Sequence, residues 1–142
     1  MSSQTCVIDF ADRHRRERLA RRYLEASLGM TVIDGPSAEP HRAALARLTP
    51  VDPLDLLRAV PDLSLEFVSP SHRGNDVAFV GLIRGRHWCS FDGIGPTGRA
   101  ISVASRWIVR FEHSRPTSVE LAVDETTLRV QLVGSARHSP AA

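Results

Sequence analysis

One spacing in this sequence matches a pattern used for phosphate binding. The stretch GRHWCSFDGIGPTGR, residues 85–99, contains G-x-G-x-x-G at Gly93, Gly95 and Gly98. In dinucleotide-binding proteins the last glycine opens a helix whose free N–H groups face the pyrophosphate. Here the glycines lead into AISVASRWIVRF, a β-branched and aromatic run that favours a strand, and Pro96 interrupts the pattern. We therefore interpret the stretch as a turn between two strands and expect no bound nucleotide.

The residues that most often bind metal ions are scattered along the chain. None of the six histidines has a carboxylate or cysteine partner at the spacing of a metal site. They are His14, His41, His72, His87, His113 and His138. The sequence therefore predicts neither a metal nor another cofactor.

Charge and composition indicate a soluble globular protein. The 18 basic residues are all arginine, and the 16 acidic residues leave a net charge of only +2. The one arginine cluster, RHRRERLARR at residues 13–22, lacks the interleaved aromatic residues of a nucleic-acid platform, so we interpret it as the solvated face of a helix. No apolar run approaches the roughly 18 residues that a membrane span needs. We expect a cytoplasmic protein with no nucleic-acid or membrane partner.

The chain changes from helical to alternating patterns near its middle. Asp12, Gly29, Asp52 and Pro61 are typical helix-boundary residues. The predicted helices are 12–28, 41–48 and 54–60, the strands are 63–69, 76–88, 101–113 and 118–124, and a short helix at 125–132 closes the chain. We predict one α+β domain over residues 1–142, with flexible ends at 1–9 and 135–142. Three N-terminal helices pack on a curved four-stranded antiparallel sheet and leave a pocket between the layers.

A set of residues in the second half of the chain resembles the SnoaL-like polyketide cyclase family over about residues 60–134. The resemblance depends on G-x-H followed by F-x-G-x-x-P-T-G-R, then on RF, an aspartate and QL. These residues are Gly85, His87, Phe91, Gly93, Pro96, Thr97, Gly98, Arg99, Arg110, Phe111, Asp124, Gln131, Leu132 and Gly134. The resemblance implies a cone-shaped fold similar to nuclear transport factor, often dimeric, with a hydrophobic cavity. The glycine-rich turn would then be a hairpin beside the cavity wall.

The resemblance also implies a reaction and a catalytic group. Such cyclases close a ring of a polyketide intermediate by an intramolecular aldol condensation, without a cofactor. Asp124 occupies the position of the family's catalytic aspartate, where an apolar pocket would raise the carboxyl pKa towards the working pH. The sequence DETTL that begins at Asp124 also suits a helix N-cap. Both interpretations stay open from the residues alone.

Strand alternation extends the predicted site. If Asp124 faces the cavity, Glu120 shares its face, roughly 13 Å away, and could contact the substrate. Val119, Leu121 and Val123 would then face outward, and we expect them to pair two copies of the chain as a homodimer.

Four further residues are candidates for the cavity. His87 follows the family's G-x-H and would either hydrogen-bond a substrate carbonyl as a catalytic group or have a structural role. Trp107 stands where aldol-type cyclases can have a histidine, and its indole could stack on an aromatic ligand. Tyr23 and His41 could bind substrate at the cavity wall, or lie in the core or on the surface.

Three functions are compatible with these residues. The first is a polyketide cyclase that uses Asp124 for acid/base catalysis. The second is a related enzyme that opens an epoxide or forms an oxygen-containing ring on the same fold. The third is a non-catalytic module that binds a ligand or a partner.

Overall fold

A computed structural model of the chain describes residues 2–35 and 39–138, with side chains for 11–35 and 39–133. The predicted flexible ends, 1–9 and 135–142, fall partly outside these described residues. The helices of the described part are α1 (Ser2–Leu28), α2 (Arg42–Leu45), α3 (Pro53–Ala59) and α4 (Glu125–His138). Its strands are β1 (Thr31–Asp34), β2 (Thr49–Val51), β3 (Ser64–Phe67), β4 (Ser71–Arg73), β5 (Asp76–Arg86), β6 (Ala100–Glu112) and β7 (Arg115–Val123).

The strands form one curved, open sheet in the order β1-β3-β5-β6-β7-β2, with β4 paired to β5. The α+β class and the antiparallel arrangement of β3, β5, β6 and β7 are confirmed. The strand count was wrong, because the sheet also contains β1, β2 and β4, and β1 runs parallel to β3. These three strands have only three or four residues and form by pairing with remote segments, so no local alternation reveals them.

The core lies between one face of the sheet and the helices α1, α3 and α4, and α4 contributes Leu128 and Leu132. Along β6 the odd-numbered residues from Ile101 to Phe111 are buried, as alternation requires of a strand with one covered face. Trp107 and Phe79 face each other across the β5–β6 ladder and are among the largest fully buried side chains. Helix α1 adds Leu24 and α3 adds Leu56 to the same cluster.

This packing reverses the predicted faces of β7. Leu121 and Val123 lie opposite Trp107 and Ser105, and they are 3% and 0% exposed. Val119 is partly buried against the same core. The prediction that these three residues face outward is therefore wrong. The alternation was correct, but the packing of α1 and α3 selects the covered side, and Glu120 lies on the opposite face.

Two glycines of β5 allow close approach of a neighbouring segment, which is β3 of the same sheet at Gly81 and the end of α3 at Gly85. A Cβ atom on Gly81 would collide with the carbonyl oxygen of Glu66, and one on Gly85 would collide with the side chain of Val60. Any larger residue at either position must push the neighbouring segment away.

Two helix boundaries follow the predicted signals, but the start predicted at Asp12 is wrong, because α1 begins at Ser2 and Asp12 lies within it. Gly29 ends α1 with a φ of 69°, in the left-handed region that favours glycine. The Asp52 carboxylate accepts a hydrogen bond from the Leu54 N–H at 2.9 Å and so caps α3. Among the described residues, no helix has the length and apolarity required to cross a membrane.

Candidate active site at the start of α4

A pocket of about 450 Å³ opens where α4 begins. It is lined by Pro50, Val51, Asp55, Arg58, Ser90, Phe91, Asp92 and Glu125. The walls thus come from β2, α3, the β5–β6 connection and the first residue of α4. We call this space the α4 pocket. Asp124 directly precedes Glu125, and Glu125 is the residue of α4 that lines the pocket.

Asp124 joins β7 to α4 through both its backbone and its side chain. Its N–H donates to the Ala104 carbonyl at 3.0 Å, and its own carbonyl accepts the first helical bond from Leu128 at 3.0 Å. The carboxylate accepts from the Thr127 N–H at 3.3 Å and from the Thr127 hydroxyl at 2.7 Å. The residue is only 2% exposed. These contacts are those of an N-cap, so the capping interpretation of DETTL describes the observed geometry.

A second partner of Asp124 comes from a distant segment. The Arg47 Nη2 atom lies 2.8 Å from Asp124 Oδ2, and the Arg47 side chain is 51% exposed. The pairing of Thr49 with Val123 in the β2–β7 ladder holds this segment beside the start of α4. Sequence reasoning missed Arg47, because the two residues are 77 positions apart and no local pattern connects them.

The surroundings of Asp124 lower its pKa. Burial is the largest single influence and raises the pKa, but hydrogen bonds from Arg47 and Thr127 and the Arg47 charge together bring it below its ordinary value. The predicted upward shift is therefore wrong, since the partners supplied by the fold outweigh desolvation. The carboxylate is ionised at neutral pH.

His87 is fully buried at the base of the β5–β6 connection. Its Nδ1 accepts from the Thr97 N–H at 3.3 Å and lies 3.0 Å from the Thr97 hydroxyl, which assigns the proton to Nε2. Within the described part of the chain Nε2 has no partner of normal hydrogen-bond geometry. Burial lowers the pKa of His87, and the Cys89 carbonyl opposes this shift only partly. The ring is therefore neutral at pH 7.

The glycine-rich stretch is a hairpin, as predicted. Phe91 and Ile94 exchange backbone hydrogen bonds at 2.9 and 2.8 Å. Between them, Asp92 and Gly93 have φ values of 49° and 83°, the two positive angles of a type I′ turn. Strand β6 follows, so this stretch lacks the helix N-terminus that phosphate binding requires.

The other motif residues attach this hairpin to β6 and α4. The Gln131 carboxamide accepts from the Ser102 N–H and donates to the Ser102 carbonyl, both at 2.8 Å, and so pairs with the edge of β6 like another strand residue. Arg99 donates to the Gln131 carbonyl at 2.6 Å. Arg129 of α4 forms an ion pair with Asp92 of the turn. We call this hydrogen-bonded unit, made of residues 91–99, Ser102 and residues 124–131, the hairpin–α4 frame.

Two predicted substrate-binding residues lie outside the α4 pocket. Glu120 is exposed on the outer face, where its carboxylate accepts from Arg110 at 2.9 and 3.1 Å. Trp107 is 0% exposed, and its indole N–H donates to the Ser105 hydroxyl at 3.1 Å. The structure thus places Trp107 in the packed core, where its indole has no face open to a stacking ligand.

Two further candidates also lie away from this pocket. The Tyr23 hydroxyl donates to the Thr117 carbonyl at 3.2 Å. His41 is exposed at the N-terminus of α2, where its side chain makes no capping bond.

The structure brings Asp124 together with Arg47 and Thr127, but not with His87. Within the described residues no hydrogen bond or ion pair joins His87 to Asp124. The His87 N–H bonds to the Arg99 carbonyl and the Asp124 N–H to the Ala104 carbonyl. Arg99 and Ala104 are about 17 Å apart along an extended strand, so the backbones of His87 and Asp124 bond to well-separated positions. Among the described side chains, no group of three or more His, Cys, Asp or Glu is placed to hold a metal ion.

No protein-family model and no curated protein sequence matches this chain. Solved structures do match it. A proposed SnoaL-like polyketide cyclase from Jannaschia sp. CCS1 is 15% identical over 56% of each chain, with a TM-score of 0.51. AclR, a proposed hydroxylase from Streptomyces galilaeus, is 26% identical over 60% of this chain and 61% of its own, with a TM-score of 0.46.

A proposed polyketide cyclase from Acidithiobacillus ferrooxidans is 21% identical over 87% of this chain and 92% of its own, with a TM-score of 0.49. This chain therefore spans between 56% and 61% of the length of the first two structures. At 15% identity, the likeness to the Jannaschia protein establishes the fold alone.

Proposed function

We propose that this chain, which has the SnoaL-like fold, is a cofactor-independent enzyme that closes a ring in a polyketide-like substrate, with Asp124 as its acid/base group. One observation carries this proposal: a carboxylate that is only 2% exposed directly precedes Glu125, which lines a pocket of about 450 Å³. Buried carboxylates beside a pocket are candidates for catalysis, since their proton affinity responds strongly to a bound substrate.

The proposed reaction is an intramolecular aldol condensation. Asp124 takes a proton from a carbon between two carbonyl groups, and the resulting enolate carbon attacks a second carbonyl of the same molecule. A C–C bond forms and an alkoxide results. The protonated Asp124 then returns its proton to this alkoxide, so the carboxylate is regenerated.

Arg47 controls how basic Asp124 is in this mechanism. While Arg47 binds Oδ2 at 2.8 Å, the pKa of Asp124 is low and the carboxylate is a weak base. The Arg47 side chain is half exposed, so a substrate oxygen can draw the guanidinium away. Asp124 then becomes a stronger base beside the substrate, because its neutralising charge has moved to the substrate oxygen. The same carboxylate would also serve epoxide opening or ether-ring formation.

A second candidate function is a non-catalytic binding module. It is favoured by the engagement of the Asp124 carboxylate with Thr127 and Arg47, since these contacts account for its burial by capping alone. In that case Asp124 stabilises α4 and takes no part in chemistry.

Replacing Asp124 with asparagine separates a catalytic role of Asp124 from a role as a helix cap. Asn still caps a helix but cannot exchange a proton, so Asp124→Asn should lower turnover of a polyketide substrate by about 10²- to 10⁴-fold. The matched control is Asp52→Asn at the N-cap of α3, which should leave turnover unchanged. Wild-type turnover in Asp124→Asn would show that Asp124 is only a cap and that the catalytic assignment is wrong, whereas saturable ligand binding without turnover by the wild-type protein would establish the binding module.

We also propose a homodimer, paired through the outer face of the sheet rather than through the residues first expected. Val80, Leu82 and Ile108 are only partly buried on this face. Such an apolar surface favours association of two copies. A single species of monomer mass in analytical ultracentrifugation at micromolar concentration would contradict the dimer.

A further inference from the structure

Another pocket, of about 460 Å³, lies on the outer face of the sheet, where β6 and β7 meet β2 and the start of α3. The lining residues that matter for binding are Pro50, Asp52, Pro53, Arg106, Ile108 and Glu120. We call this space the outer pocket. Pro50 also lines the α4 pocket, but Arg106, Ile108 and Glu120 do not.

Arg106 places a positive charge on this face without a partner. The strand ladders position it between Val80 of β5 and Ala122 of β7, so its immediate neighbours on the face are apolar. It is partly buried and forms no hydrogen bond or ion pair with the described residues. Removing a charge from water is unfavourable unless an opposite charge compensates for it. Arg106 therefore indicates an anion that binds from outside the chain.

The two acidic residues of the outer pocket are engaged elsewhere. Glu120 accepts from Arg110 at 2.9 and 3.1 Å, and the Asp52 carboxylate caps α3. Their negative charges beside a single cation disfavour a ligand that carries two charges, but one carboxylate is compatible with them. A guanidinium binds a carboxylate through two parallel hydrogen bonds.

The remainder of the wall offers accessible apolar surface. Pro50 is exposed, and Pro53 and Ile108 are only partly buried. None of the described residues that line the pocket is aromatic. Such a wall suits an aliphatic chain, because aliphatic carbon gains free energy on leaving water without needing a particular orientation. The volume lies within the roughly 300–1,000 Å³ that is typical of sites for small ligands.

We propose that the outer pocket binds medium-chain aliphatic monocarboxylates. The carboxylate binds Arg106, and the chain lies along Ile108, Pro50 and Pro53. The site is additional to the proposed reaction at Asp124, and its occupancy is measured without turnover. Val80 and Leu82 of the proposed dimer surface lie on β5, across β6 from this pocket. Ile108 belongs to both surfaces, so a second copy of the chain is the alternative occupant.

Calorimetric titration with octanoate tests the site. Wild-type protein should bind it saturably with one site per chain. Arg106→Gln should weaken binding at least tenfold, because the charge-assisted contact is lost. The matched control is Arg84→Gln, which removes an exposed arginine of β5 outside the pocket and should change affinity less than twofold.

Two ligand series test the charge and the chain separately on the wild-type protein. The uncharged octanamide should bind at least tenfold more weakly than octanoate. Shortening the acid from octanoate to butyrate should weaken binding about two- to fourfold for each CH₂ removed, since less apolar surface leaves water. Equal affinity for octanoate and octanamide would contradict the role of Arg106 even if its variant failed to fold.

Four other results would overturn the proposal. The first is the absence of saturable binding at millimolar octanoate. The second is equal weakening by Arg106→Gln and Arg84→Gln, which would mean general attraction to a basic surface. The third is loss of binding in Arg58→Gln, which would place the ligand in the α4 pocket. The fourth is dissociation of a dimer by Arg106→Gln, seen in analytical ultracentrifugation and without octanoate binding by the wild type, which would assign Arg106 to a second copy. Circular dichroism confirms that each variant is folded.

Discussion

The hairpin–α4 frame differs in how its polar side chains are used from the space between α1 and the sheet that Glu17, Arg18 and His72 help to line, which we call the α1 groove. In the frame, Thr97, Arg99 and Gln131 all bond to other parts of the protein. In the groove, Arg18 has no partner within the described residues, and Glu17 has only one oxygen engaged. The frame contains most of the recognisable motif, while the groove contains none of it. Thr97, Arg99 and Gln131 therefore hold the hairpin against β6 and α4.

The two regions also differ in how they hold a carboxylate. The Asp124 side chain is 3% exposed and depends on Thr127 and Arg47 to compensate for its burial. The Glu17 side chain is 30% exposed and remains partly hydrated beside His72. Removing a buried group leaves its partners unsatisfied, whereas removing an exposed one allows water to replace it. Substitutions in the frame should therefore cost more stability than substitutions in the groove.

The largest effect on stability is expected at Asp124. Asp124→Ala removes the N-cap of α4 and should lower the free energy of unfolding by about 0.5–2 kcal/mol, whereas Asp124→Asn should cost only a few tenths. Urea denaturation of both variants measures this difference. Equal stability of Asp124→Ala and the wild type would mean that the cap contributes nothing.

The stability cost of substitution should also differ between Gln131 and Glu17, but by a smaller amount. Gln131→Ala removes both hydrogen bonds to Ser102 and should cost about 1 kcal/mol. Glu17→Gln alters a partly buried pair but keeps a side chain that can hydrogen-bond His72, so it should change stability by less than about 0.5 kcal/mol. The same urea experiment compares them. A larger cost for Glu17→Gln would reverse the distinction between frame and groove.

The smallest effect is the pH dependence contributed by Asp124. Its folded pKa lies below the ordinary value of 3.8, so its ionisation stabilises the fold above about pH 4, and this contribution is lost as the pH falls through the folded pKa. The stability difference between wild type and Asp124→Asn should thus be constant from pH 7 to about 4 and shrink below.

His87 supplies an internal reference for this measurement. Its folded pKa lies below 6.5, so the unfolded chain takes up the proton first, and stability declines as the pH falls below 6.5. Because both proteins contain His87, this decline cancels in the difference. A difference that already shrinks near pH 6 would show that Asp124 is not ionised as described.

Local signals in the sequence predicted much of the fold. The change from helical to alternating periodicity predicted the α+β class and the order of the long elements. Gly29 and Asp52 marked helix boundaries that the structure confirms. The short strands β1, β2 and β4 could not be predicted in this way, because each exists through pairing with a segment elsewhere in the chain.

The candidate site was only partly accessible from the sequence. Asp124 was identified through the motif, together with its alternative role as a cap. Its ion pair with Arg47 was missed, and with it the downward direction of the pKa shift. The roles expected for Glu120 and Trp107 depended on which side of the sheet forms the cavity, and alternation alone does not specify that side.

The sequence by itself determined the fold class, the long strands, the hairpin turn and the N-caps at Asp52 and Asp124, because these depend on neighbours within a few positions along the chain. Only the tertiary structure decided which face of β7 is buried and which cation meets Asp124. Burial and ion pairing depend on segments tens of residues apart that meet only when the helices pack on the sheet.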